Sequence, residues 1–151
     1  MSFQFRLATL HKLREQTRDE RRGELAQAYE AERILKARAS ELKTELIENQ
    51  ERLRELGKRR DLQVDLLTDA RRYESLLNHA AAETARQTAE VAQEVERRRL
   101  ALLEADREVK ALEKLRERQQ LAYDFQESKQ EDRRLDEAAL RGFNRRSEVS
   151  P

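Results

Sequence analysis

The sequence predicts an all-α fold: two long helices folded back on one another as an antiparallel coiled-coil hairpin, with a short, partly helical connector at the tip. Three observations carry that expectation. Leu35, Ala39, Leu42, Leu46, Asn49, Leu53 and Leu56 recur at alternating spacings of four and three residues, the period of a heptad seam. A second seam with the same alternation follows at Thr88, Val91, Val95, Arg98, Leu102, Ala105, Val109 and Leu112. Composition agrees, because 42% charged and 37% hydrophobic residues with a mean hydropathy of -1.05 can fill a narrow stripe but not a globular interior.

The elements are expected in order within a single domain spanning residues 1–151. A first helix over 3–57 meets no breaker except Gly23, and one Gly inside a helix costs only about 1 kcal/mol relative to Ala. Its opening apolar residues, Phe3, Phe5, Leu7, Leu10 and Leu13, give way to Arg18-Asp19-Glu20-Arg21-Arg22, where the seam fades and packing should be weak or different. Gly57, set between an apolar run and a charge cluster, is the expected turn residue. A connector over 58–69 should then carry Leu62, Val64, Leu66 and Leu67, with Thr68 and Asp69 as N-cap candidates for a second helix over 70–142. Gly142 is placed to cap that helix, leaving 143–151 as a flexible tail.

An antiparallel register follows from matching the two seams across the break. Pairing positions whose numbers sum to about 130 sets Leu53 opposite Leu77, Leu46 opposite Thr84, Leu42 opposite Thr88, Leu35 opposite Val95 and Ala28 opposite Leu102. Glu32 with Lys36, Glu94 with Arg98 and Asp106 with Lys110 are acid-before-base pairs one turn apart, each worth about 0.3 kcal/mol.

Chemistry is largely excluded. The three glycines are too scattered to cradle a phosphate, and the absence of Cys removes disulfides and thiolate chemistry and fits a reducing cytosol. His11 and His79 lie far apart and read as ordinary surface residues, so neither a metal site nor any cofactor is expected. Carboxylates interleaved with bases on solvated faces offer no pocket for acid–base catalysis, and no enzymatic activity is expected. Thirty-two basic against 31 acidic side chains give a net charge of +1, with only short basic runs at Arg59-Arg60 and Arg97-Arg98-Arg99, so nucleic acid is not an expected partner. Gln4, Arg6, His11 and Lys12 divide the N-terminal apolar residues, and no run approaches 18 apolar residues, so neither a secretory leader nor membrane insertion is expected. What remains is surface. Tyr73, Leu77, Ala80 and Thr84 form a line after the turn that serves either the seam or a partner, and Leu135, Ala138, Ala139, Leu140 and Phe143 lie beyond the reach of the first helix.

Several segments together resemble the FliJ family of flagellar type III export proteins. They are the opening Phe3-Gln4-Phe5-Arg6-Leu7 with Leu10 and Leu13-Arg14-Glu15, then Asp69-Ala70-Arg71-Arg72-Tyr73 followed by Leu77, then the run Lys110 to Arg118, and the close Asp132-Arg133-Arg134-Leu135-Asp136-Glu137 through Leu140 to Phe143. The resemblance implies a rod-like stalk that inserts into the hexameric flagellar export ATPase, promotes its activity, couples it to the cytoplasmic domain of the export gate and escorts export chaperones. It also implies a chain monomeric alone and cytoplasmic, recruited peripherally to the inner membrane at the flagellar base. Phe3, Phe5, Leu7, Leu10, Leu135, Leu140 and Phe143 would then contact the ATPase ring, and Tyr73, Leu77, Ala80 and Thr84 the gate. The alternatives are the equivalent stalk of a virulence-type secretion system, or a generic structural tether, which would be a parallel dimer.

Overall fold

A computed structural model describes residues 2–61 and 63–149. Among them are two helices and no strand: α1 over Ala8–Lys58 and α2 over Val64–Val149. The chain clusters into two compact units, one of Met1–Thr17 with Ala105–Pro151, the other of Arg18–Glu104. That division falls at the start of the charge cluster where the seam was expected to fade.

In the Arg18–Glu104 unit the two helices run antiparallel. The core is a thin seam in which Ala28, Leu42, Ala70, Leu77 and Val95 are buried with Asn49 and Thr84. Leu35, Leu46, Leu53, Leu56, Thr88, Val91 and Leu102 are half-buried along it, so the heptad pattern locates the interface correctly, with Ala39 alone exposed. Asn49 is the seam's buried amide. Its Nδ2 donates to the Ala70 carbonyl at 3.0 Å, a bond that only one alignment of the helices permits, as a polar seam residue does when it specifies register. Arg98, the other polar seam position, stays half-exposed and donates to the Glu24 carbonyl at 2.6 Å and to the Glu94 carboxylate at 2.8 Å.

These contacts correct the expected register. Asn49 faces Ala70, Tyr73 reaches Glu45, and Arg98 reaches Glu24, which displaces one helix along the other by about two to three turns from the expected pairing. The cause is the connector. Helix α1 runs through Gly57 to Lys58 and α2 begins at Val64, so the chain folds back earlier than a 58–69 connector would allow. Gly57 does not cap: no glycine has a positive φ. Thr68 is no N-cap either, because its hydroxyl donates to the Val64 carbonyl inside α2. Lys58 in the last turn of α1 and Asp65 in the first turn of α2 complement the two helix dipoles and favour this tight boundary. Leu62, expected in the connector, lies outside the described residues.

In the other unit, α1 packs antiparallel on α2 around buried Ala105 and Val109, and Arg14 Nη1 donates to Glu108 at 2.9 Å. Helix α1 begins at Ala8 rather than Phe3. The Phe5 carbonyl accepts from the Ala8 amide at 3.2 Å, closing a turn, and the irregular segment before it lets the Phe3 ring tilt against Tyr123 at 5.7 Å between centroids. At the other end α2 continues through Gly142, so residues 143–149 are helical rather than a flexible tail.

All three expected acid-before-base pairs form, at 2.6 Å for Glu32 and Lys36, 2.8 Å for Glu94 and Arg98, and 2.9 Å for Asp106 and Lys110. Glu30, Glu83, Glu94 and Glu96 are held below the ordinary carboxylate range, first by hydrogen bonds from Arg33, Arg86, Arg98 and Arg99. Each is therefore more acidic folded than unfolded, so its contribution is present above the unfolded carboxylate range and disappears as pH falls through the lowered values. Because these groups are exposed, the effect is small and screened. Circular dichroism should show helicity declining below about pH 4, with a smaller decline in high salt.

A Cβ at Gly23 would meet nothing within 4 Å, and its φ is not positive. Gly23→Ala is thus expected to stabilise the fold by about 0.5–1 kcal/mol, read as a higher urea midpoint.

Candidate interaction surfaces

Within the Arg18–Glu104 unit the region around the fold-back carries a shallow cleft of about 420 Å³ lined by Asn49, Arg52, Leu56, Leu66, Asp69, Ala70 and Tyr73. The Tyr73 hydroxyl donates to Glu45 at 3.2 Å while its ring remains 43% exposed. That bond, then partial burial, then the carboxylate's charge hold the Tyr73 phenol above its ordinary range.

The expected partner-facing line here divides. Tyr73 is exposed, but Leu77 and Thr84 are buried in the seam and Ala80 is half-buried, so those three serve packing between the helices. Their spacing of three and four is the spacing of the seam itself, which is why periodicity could not separate the two roles. The large aliphatic side chains left open in the first turns of α2 are instead Val64, Leu66 and Leu76. Their signal was that they stand off the seam's phase.

In the other unit, every residue of α2 beyond Tyr123 is exposed. Leu121, Phe125, Leu135, Leu140 and Phe143 are all at least 60% exposed. Leu121 with Phe125, and Leu135 with Phe143 two turns on, are spaced to share helix faces. Lys129 Nζ sits 4.6 Å above the Phe125 ring centroid. Leu135, Leu140 and Phe143 are thus left unpaired as the sequence implied; Leu121 and Phe125 were missed, although they are large apolar residues just past the end of the second seam. Of the N-terminal residues expected to join them, Leu7 and Leu10 are exposed, whereas Phe3 and Phe5 are half-buried.

His11 is not the surface residue expected. Its side chain is only 13% exposed and lies between Glu15 and Glu113, a juxtaposition invisible in sequence because Glu113 comes from α2. Among the described residues, no helix is long and apolar enough to cross a membrane. Taken together, the exposed features are large apolar side chains set among charged residues on helix surfaces.

A family model described as Flagellar FliJ protein matches residues 3–148. No curated protein and no solved structure matches the chain.

Proposed function

The chain belongs to the FliJ family of flagellar proteins and is a flagellar export-related protein, and from that membership we propose that it acts as the stalk of the export apparatus. In this reading it inserts into the hexameric export ATPase, promotes ATP hydrolysis and couples the ring to the cytoplasmic domain of the export gate. Escort of export chaperones, and recruitment to the cytoplasmic face of the inner membrane at the flagellar base, belong to the same proposal.

One observation carries it: the last part of α2, from Leu121 onward, displays six large exposed apolar side chains, Leu121, Phe125, Leu135, Leu140, Phe143 and Val149, with no helix covering them among the described residues. An isolated helix of this length gains little from propensity alone, so its apolar residues are best explained by a partner that buries them. A ring of subunits around a helix would do so. Tyr73, with Val64, Leu66 and Leu76 in the same unit, supports the gate contact, since a half-exposed aromatic beside open aliphatic side chains has the composition of an interface anchor. Leu77, Ala80 and Thr84 would then act only by positioning α2.

The test is co-sedimentation of the full chain with the purified export ATPase, and separately with the purified cytoplasmic domain of the gate. Binding to both is expected. Binding to neither would overturn the proposal.

A further inference from the structure

We propose that His11, Glu15 and Glu113 form a binding site for a divalent transition-metal ion of zinc's class, which ties the first turns of α1 to α2. His11 and Glu15 stand one turn apart on α1, so their side chains share a face, and Glu113 meets them from α2 within the same compact unit. The His11 Nε2 atom is shut off from solvent and has no hydrogen-bond partner. It points instead at two carboxylate oxygens, Glu15 Oε1 at 3.5 Å and Glu113 Oε1 at 3.8 Å.

Those distances are informative. A hydrogen bond between an imidazole N–H and a carboxylate closes to about 2.7–2.9 Å. Two ligands sharing a tetrahedral zinc, with metal–nitrogen and metal–oxygen bonds of about 2.0–2.2 Å, stand roughly 3.4 Å apart. The two His11 contacts lie closer to the second spacing, and one ligand atom from each of the three residues lies within 4.8 Å of the others, so a small side-chain adjustment would bring all three onto one ion.

Two nearby cations are engaged elsewhere, Arg14 with Glu108 and Lys110 with Asp106, and among the described residues neither Glu15 nor Glu113 has an ion pair with Lys or Arg. Glu15 and Glu113 are 39% and 47% exposed, so an ion can reach them and water can complete its coordination. One imidazole with two carboxylates suits zinc and its first-row neighbours, whereas magnesium and calcium prefer oxygen donors alone. The metal's role here is that of a clamp, because ligands drawn from both helices stabilise only their packed arrangement.

The experiment uses the full chain stripped of metal with a chelator, with Co²⁺ as a spectroscopic probe and Zn²⁺ as a stabiliser. Co²⁺ should produce visible absorption bands of a low-coordinate site, and saturating Zn²⁺ should raise the unfolding midpoint by about 5 °C. His11→Gln and Glu113→Gln should lose both effects while remaining folded by circular dichroism. Glu108→Gln, which removes a neighbouring carboxylate, should keep both. Absence of cobalt bands and of a zinc shift in the unaltered chain would overturn the proposal and leave the trio a polar contact between the helices. A zinc shift that survives in both His11→Gln and Glu113→Gln would overturn it equally.

Discussion

Leu42→Ala is expected to lower the free energy of unfolding by about 2–5 kcal/mol, a large share of the 5–15 kcal/mol typical of a folded domain. Leu42 is 1% exposed and is the largest fully buried side chain in its unit, where the seam is one residue wide and offers few neighbours to collapse into the space. Ile34→Ala on the same helix should fall within about 0.5 kcal/mol, because Ile34 is 54% exposed and has little burial to lose. Urea unfolding followed by far-ultraviolet circular dichroism separates the two. Equal effects would mean that helix propensity rather than the seam holds α1.

Replacing Leu135, Leu140 and Phe143 together by Ser should leave the urea midpoint of the fold nearly unchanged yet weaken binding to the export ATPase at least thirtyfold, roughly the effect of losing one interface hot spot. These side chains are exposed and contribute almost nothing to internal packing. Any loss of affinity is therefore a loss at the partner's surface. The paired control is Leu77→Ala, whose buried side chain should reduce stability markedly and affect ATPase binding only through that loss. Isothermal titration at a temperature where both variants are folded would distinguish these outcomes.

The helices and their shared face were legible in the sequence because period alone determines which residues line a coiled-coil seam, and Leu42, Val95, Ala105 and Val109 are all buried where the heptads put them. The ends of the helices were not. Glycine permits a stop without requiring one, and Gly57 and Gly142 both lie inside helices. Misplacing the connector then moved every cross-helix partner, since a hairpin's register is determined by where it folds back. The same periodicity that revealed the seam obscured the surface near Tyr73: Leu77 and Thr84 carry the spacing of a stripe, and only the structure shows that the opposing helix covers it. The C-terminal apolar residues were legible because there is no counterpart in the first helix to cover them. The cluster of His11, Glu15 and Glu113 was not, because one of its members is separated from the others by most of the chain.

The most direct measurement of the central claim is the rate of ATP hydrolysis by the purified export ATPase, with and without this protein. Faster hydrolysis with the unaltered chain, and little or no acceleration with the Leu135, Leu140 and Phe143 triple variant, is the predicted result. An unchanged rate with the unaltered chain at concentrations where the two are shown to be bound, or full acceleration by the triple variant, would contradict it.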